Sequence, residues 1–280
     1  MTRRALTAFA ALAAASLAPA AVAQAETRTA TAEQGAVRAE LTWDDDPEAT
    51  TPPLLAIARD GVRTEHAPAN CPGDEGALLC ELPLPGRDAV AVSDLDADGE
   101  PEVVVQLYSG GAHCCFATRV YWWDAANATY VSVRRESQDA AFRLRDPDRD
   151  GRRELVGSDA RFAYRFGGYG ESRFPVQVLR HAQGELSDVT REYPGLLRAD
   201  VRRHLRTYRR FRRQGSDVEG VLAAYMADKA RLGEAAAGWR VVRAAMRRDE
   251  LKPGGERYVR RLRRLLRRWG YLPARKAARR

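Results

Sequence analysis

The segment Asp94-Leu95-Asp96-Ala97-Asp98-Gly99-Glu100-Pro101-Glu102 decides the fold expected for the first half of this chain. It reads D-x-D-x-D-G-x-x-E, with acids at positions 1, 3, 5 and 9 and a glycine at position 6. Alternating carboxylates direct hard oxygens into one cavity, and the glycine lets the backbone turn so that the next carbonyl joins them. Crowded carboxylates repel one another unless a cation binds. The segment therefore predicts a calcium-binding loop.

The same pattern occurs a second time, as Asp146-Pro147-Asp148-Arg149-Asp150-Gly151-Arg152-Arg153-Glu154. In both places a short apolar run leads into the loop, another leaves it, and two more follow, which indicates a four-strand unit repeated twice. Three arginines crowd the second loop, whereas Glu100 adds negative charge to the first. The first loop is therefore expected to bind calcium more tightly.

The flanking residues exclude an EF-hand, because position 12 holds Val105 and Gly157 instead of a bidentate glutamate and the neighbouring runs favour strands. Segments 92–105 and 144–156 resemble the FG-GAP or VCBS-type repeats, the calcium-loop repeats of integrin-α-like propellers. The resemblance implies that the metal is held by the following side chains, together with the carbonyls of Glu100 and Arg152: Asp94, Asp96, Asp98, Glu102, Asp146, Asp148, Asp150 and Glu154. Phe166-Gly167 is a vestige of the family's Phe-Gly, and no Gly-Ala-Pro follows it.

Short apolar runs separated by turn residues predict antiparallel strands up to about His181. They are expected at 37–43, 54–58, 89–92, 103–108, 118–123, 130–133, 141–144, 154–156, 161–166 and 176–180. The chain has room for only two or three of the four-strand units, so an open or sandwiched antiparallel sheet is expected in place of a closed propeller.

After Ser187 the apolar residues recur every three or four positions, which predicts helices at 196–214, 218–231, 235–248 and 257–269. The predicted fold class is therefore α+β, with an antiparallel β domain that carries two repeated calcium-loop units and a C-terminal helical bundle. The proposed divisions are a signal peptide at 1–25, a β domain at 26–190 and a basic helical domain at 191–280.

The N-terminus supports export. Arg3-Arg4 precedes a short alanine-rich core and the small-x-small sequence Ala23-Gln24-Ala25, which predicts cleavage before Glu26. No later stretch is apolar enough to cross a membrane. A secreted or cell-envelope location is therefore expected.

The four cysteines are Cys71, Cys80, Cys114 and Cys115, an even number that predicts two disulfides in an exported chain. Three pairings are possible, and cross-links from the 71–80 loop onto Cys114 and Cys115 are slightly favoured. His113 beside Cys114 also suggests a nucleophile, but neighbouring residues on a strand point to opposite faces and no second histidine or C-x-x-C motif completes a zinc set.

Charge is divided unevenly along the chain, which has 46 basic and 38 acidic residues in all and is arginine-rich in its helices. A basic helical part suits anionic cell-envelope polymers, whereas no motif supports binding to nucleic acid. Two functions follow from the sequence. One is a secreted, calcium-binding, non-enzymatic binding or scaffold protein; the alternative is a secreted hydrolase that uses the acidic loops or the segment containing His113 and Cys114.

Overall fold

The computed structural model describes residues 26–46, 51–70, 81–84, 89–109, 116–138, 141–252 and 254–274. The predicted signal peptide at 1–25, the four cysteines and His113 lie outside the described residues.

The first part of the chain is built from short antiparallel strands that join into three sheets. The strands are β1 (Thr27–Gln34), β2 (Val37–Asp44), β3 (Leu54–Arg59), β4 (Val62–His66), β5 (Leu82–Pro83), β6 (Val90–Ser93), β7 (Glu102–Tyr108), β8 (Phe116–Asp124), β9 (Thr129–Gln138), β10 (Arg143–Arg145), β11 (Glu154–Ser158), β12 (Val176–Ala182) and β13 (Glu185–Asp188). The first sheet has the order β1-β2-β3-β4 and the third has the order β10-β11-β12-β13. In the second sheet, β5 and β6 both pair with β7, which is followed by β8 and β9.

The second sheet is packed on both faces, and β7 shows how the sequence specifies this. Val103, Val105 and Leu107 share a core with residues of the first sheet. Val104 points to the opposite face and packs with Leu155 of the third sheet. Side chains alternate between the two faces of a strand, so a strand covered on both sides must be apolar throughout. The run of valines after Glu102 therefore places the first acidic loop between two sheet layers.

Four helices follow: α1 (Pro194–Gln214), α2 (Glu219–Arg231), α3 (Ala235–Arg247) and α4 (Gly255–Arg268). Pro194 begins α1, where its missing N–H is no loss, and Gly215 ends it in the left-handed conformation with φ 68°. In α4, Tyr258, Leu262 and Leu266 form the buried stripe. The arginines of α4 lie outside this buried stripe, so the charge pattern and the apolar period indicate the same buried face.

The helices share a core with the connection between β11 and β12 of the third sheet. Phe162 and Phe166, which lie between β11 and β12, pack with α2, α3 and α4 in one buried cluster. Arg231, at the end of α2, donates to the Val176 carbonyl (2.7 Å) and to Asp188 (2.6 Å). The two parts are therefore joined by buried contacts, and the boundary proposed at 190/191 stays a prediction.

The α+β class and the antiparallel β part followed by helices are confirmed. The strand predicted at 161–166 is wrong: Ala160–Phe162 form a 3-10 helix, and turns follow. Phe162 and Phe166 are apolar because they face the helices. Their spacing in the sequence resembles the alternation of apolar residues in a strand. Strands β1, β4, β5 and β13 were not expected. No helix among the described residues is long and apolar enough to cross a membrane.

Candidate metal centre

The two acidic loops adopt the same backbone conformation. Positions 4 and 6 have positive φ in both: 63° at Ala97 and 91° at Gly99, then 64° at Arg149 and 94° at Gly151. In both, one oxygen of the first aspartate accepts a hydrogen bond from the N–H of the glycine, at 3.0 Å from Asp94 and 3.1 Å from Asp146. A glycine tolerates positive φ without cost, which is why both loops have one at position 6.

In the first loop, further main-chain bonds fix the carboxylates. Asp94 Oδ1 accepts from the Ala97 N–H at 2.7 Å, and Asp98 Oδ1 accepts from the Glu100 N–H at 2.8 Å. Asp94, Asp96 and Asp98 can each present one oxygen so that the three lie within 4.8 Å of one another. Asp96 Oδ1 is buried and has no hydrogen-bond partner among the described residues.

Glu102, the first residue of β7, lies at the end of the first acidic loop. Its carboxylate is buried, and Oε2 accepts a hydrogen bond from the Leu95 N–H at 2.7 Å. Burial, and then the charges of Asp96, Asp98 and Asp94, raise its pKa to about 8, although the Leu95 N–H opposes the shift. Such a carboxylate is strongly repelled by its surroundings as long as it carries charge. A cation bound between these acids would remove that repulsion.

His181, near the end of β12, approaches Glu102 from the third sheet, with Nδ1 3.8 Å from Oε1. Its pKa is lowered by burial, against the charges of Asp96 and Asp98. The ring therefore tends to the neutral form, which can offer a lone pair to a metal. Asp96, Glu102 and His181 form a second set of potential ligands within 4.8 Å of one another.

A cleft of about 440 Å³ opens beside the first loop. Its walls are Asp96, Asp98, Glu100, Glu102, Trp122, Trp123, His181, Ala182, Gln183 and Gly184. The Trp122 and His181 rings lie 5.5 Å apart, and the Arg59 guanidinium lies 4.8 Å from the Trp123 ring. The cleft thus combines carboxylates with two indole rings at the junction of two sheets.

Glu100 has a different role from the other acids. Its side chain forms a bidentate ion pair with Arg59 of β3, with distances of 2.9 and 2.6 Å. Because its carboxylate is already paired, Glu100 can contribute only its main-chain carbonyl to an ion, as the sequence resemblance implies.

The second loop brings Asp146, Asp148 and Asp150 together in the same way, but arginines neutralise its charge. Arg152 donates to Asp150 Oδ2 through both Nε and Nη2, at 3.0 and 2.7 Å. Glu154, buried at the start of β11 like Glu102 on β7, has Arg180 Nε 3.5 Å from Oε1. The protein's own cations thus occupy part of the place that a metal ion would take.

The donor set of the first loop fits calcium. Ca2+ takes six to eight oxygen ligands at about 2.3–2.6 Å, so ligand oxygens on opposite sides of the ion stand about 5 Å apart. The three aspartate oxygens lie within 4.8 Å of one another, which is compatible with that spacing. The unpartnered Asp96 Oδ1 and the buried Glu102 supply further oxygens.

The helical part contains another cluster of potential ligands, which was not predicted from the sequence. Asp200 and His204 of α1 meet Asp228 of α2, and all three are buried. The signal was present in the sequence, because both α1 residues fall on the apolar stripe that contains Leu197, Val201 and Tyr208. Polar residues on such a stripe, spaced i and i+4, project into the core together.

Comparisons with known proteins relate the chain to one protein family and to proteins of two bacteria. Residues 197–270 match the protein family described as "sll0997 C-terminal domain". The chain is 32% identical over 171 residues to the "Probable thylakoid lumen protein sll0997" of Synechocystis sp., a match that covers 58% of this chain and 49% of that protein. It is also 28% identical over 150 residues to the "Uncharacterized protein y4bJ" of Sinorhizobium fredii, covering 52% of this chain and 23% of that protein.

The chain therefore spans about half the length of the first relative and about a quarter of the second. No solved structure matches the chain significantly. Residues 197–270 lie within the helical part, from the first turn of α1 to just after α4.

Proposed function

We propose that this chain is an exported, calcium-binding, non-enzymatic binding or scaffold module, whose first acidic loop holds Ca2+ in the manner of FG-GAP or VCBS-type repeats. The observation that carries the proposal is a pair of ligand groups that share Asp96. Oxygens of Asp94, Asp96 and Asp98 lie within 4.8 Å of one another, Asp96 also groups with Glu102 and His181, and Asp96 Oδ1 is buried with no hydrogen-bond partner among the described residues. Arg59 is paired with Glu100 and does not neutralise the other four carboxylates.

The ion would stabilise the loop between β6 and β7, at the place where the second sheet meets the third. Glu102 belongs to β7 of the second sheet, and the neighbouring His181 belongs to β12 of the third. Calcium bound to Glu102 and the loop aspartates would stabilise the folded layer against the mutual repulsion of these acids. The adjoining cleft, with Trp122 and Trp123 in its wall, is where a polar ligand would meet the ion.

The proposed location is a compartment reached by export. The N-terminal segment has the features of a signal peptide, and a relative is named as a probable thylakoid lumen protein, which resides in a compartment that proteins enter by translocation. Contact with anionic cell-envelope polymers is proposed for α1, where an exposed surface is lined by Arg203, Arg206, Thr207, Arg209, Arg210 and Arg213.

The hydrolase alternative is less well supported by the acidic loops. An acid catalyst has to reach its substrate, whereas Glu102 is 2% exposed and one of its oxygens is held by the Leu95 N–H. The other form of that alternative depends on His113 and Cys114, which lie outside the described residues.

Calorimetric titration with Ca2+ tests the proposal, using two matched double variants. Asp94→Ala with Asp98→Ala should abolish most of the binding, whereas Asp146→Ala with Asp150→Ala should remove less, because Arg152 already pairs with Asp150. At free calcium a hundredfold above the dissociation constant, one site adds about 2.7 kcal/mol, which raises the melting temperature by about 5–10 °C for a chain of this size. The proposal fails if millimolar calcium gives no binding heat and a chelator leaves the melting temperature unchanged.

A further inference from the structure

A fully buried cluster of two aspartates and one histidine joins α1 to α2. The imidazole Nε2 of His204 lies 3.3 Å from Asp200 Oδ2 and 3.4 Å from Asp228 Oδ2. The three residues are 5%, 1% and 0% exposed, in the order Asp200, His204 and Asp228. The cluster is far along the chain from the acidic loops, and the proposed calcium binding does not depend on it.

The polar atoms of His204 and Asp228 lack directed partners among the described residues. Neither nitrogen of His204 and neither side-chain oxygen of Asp228 has a hydrogen-bond partner among the described residues, although the two side chains lie within ion-pair distance. A buried carboxylate that accepts no hydrogen bond costs several kilocalories per mole unless a positive charge compensates it. The cluster therefore needs a ligand that binds the histidine nitrogen and the aspartate oxygens at once.

A protonated histidine compensates the cluster incompletely. An imidazolium would place its Nε2–H 3.3 and 3.4 Å from the two carboxylates without the geometry of a hydrogen bond to either. A divalent cation would bind both carboxylates and use the lone pair of a neutral imidazole.

The distances agree with a tetrahedral metal. Zinc binds histidine nitrogen and carboxylate oxygen at about 2.0–2.1 Å, so neighbouring ligand atoms in a tetrahedral site stand about 3.3 Å apart. The two nitrogen-to-oxygen distances of 3.3 and 3.4 Å match this value. Asp200 also has outer partners: its Oδ2 accepts from the Val176 N–H at 2.8 Å, and Arg203 pairs with its Oδ1. Outer contacts of this kind orient carboxylate ligands.

We propose that Asp200, His204 and Asp228 bind a divalent transition-metal ion of the zinc class, which ties α1 to α2 inside the helical part. Imidazole nitrogen suits zinc, whereas calcium prefers oxygen ligands alone. The site is thus chemically distinct from the first acidic loop, and calcium should not displace zinc from it.

The test is a zinc titration of the full exported chain without a histidine tag, stripped of metal and kept in excess calcium so that the acidic loops are occupied. Calorimetry should give one zinc ion per chain. His204→Gln and Asp228→Asn should each weaken zinc binding by more than about tenfold, since even the loss of an outer partner costs that much. His181→Gln is the matched control, because it removes the histidine beside the acidic loop and should leave zinc binding unchanged.

X-ray absorption of the zinc-loaded wild-type chain provides a readout that does not require the variants to fold. One imidazole and two carboxylates around the ion, with the calorimetric pattern above, support the site. The proposal is overturned if the wild-type chain does not bind zinc at micromolar concentrations, if sulfur or oxygen atoms alone surround the ion, or if His181→Gln abolishes binding while His204→Gln does not.

Discussion

Replacing Glu102 with glutamine separates the cost of the buried charge from its use as a calcium ligand. Glutamine has nearly the same shape, and its side-chain oxygen can still accept the Leu95 N–H that Glu102 now binds at 2.7 Å. What the change removes is a buried carboxylate that faces the aspartates of the first loop. In the absence of calcium, we therefore expect Glu102→Gln to stabilise the protein.

The magnitude follows from the pKa of Glu102, which burial and the neighbouring aspartates raise from 4.5 to about 8. A carboxyl group whose pKa is higher in the folded state contributes stability that is complete below pH 4.5 and is lost as pH rises through about 8. The loss is about 1.4 kcal/mol for each pH unit in that window, which amounts to about 3 kcal/mol at pH 7. Glu102→Gln should recover a large part of this free energy.

The assay is urea unfolding of wild type and variant between pH 5 and pH 8, in calcium-free buffer and in excess calcium. Without calcium, the wild-type free energy of unfolding should fall with pH relative to the variant. With calcium, the difference should shrink or reverse, because the ion neutralises Glu102 and glutamine is a weaker ligand. A variant that is equally destabilised with and without calcium, and has the same pH slope as the wild type, refutes the reasoning.

Two further changes test the packing around the sites. Asp188→Asn should cost about 2 kcal/mol in urea unfolding, because it removes the anion that accepts a hydrogen bond from the buried Arg231 guanidinium; a loss of the same size in an Arg231→Met background would contradict this. Gly184→Ala should destabilise the protein by at least about 1 kcal/mol more than Gly61→Ala. The two glycines have nearly the same φ, +80° and +81°. A Cβ at Gly184 would lie 2.5 Å from Trp122 Cζ2, whereas a Cβ at Gly61 would meet open space. Equal melting temperatures for these two glycine variants would remove the predicted clash.

The helices and most of the strands were predictable because their apolar periods are unambiguous. In α4 the buried Tyr258, Leu262 and Leu266 recur at helical spacing, and the predicted 257–269 differs from the observed helix by two residues at its start. The edge strands were harder. β1 is mostly exposed, and its sequence TRTATAEQ carries little apolar alternation. The strand is held by backbone pairing with β2 and by the packing of Ala30 and Ala32 against the core.

The candidate site was predictable only in its local part. The carboxylates of each loop are close in sequence, and the observed backbone brings the aspartates together as expected. His181 and Trp122 come from other strands, and nothing near Asp94 in the sequence indicates which distant residues the sheets bring to it. The pairing of Arg180 with Glu154 is likewise a long-range contact. It is one reason why the charge of the second loop differs from that of the first.

One strand, β12, links the two proposed ion sites. Its first residue, Val176, donates its N–H to Asp200 and accepts from Arg231 through its carbonyl, so this end is fixed by α1 and α2. Its sixth residue, His181, lies against Glu102 of the first acidic loop. The strand is seven residues long and extended, which leaves it little freedom to shift at one end without moving at the other. The contacts of α1 and α2 with Val176 therefore fix one end of the strand whose other end lies against the first acidic loop.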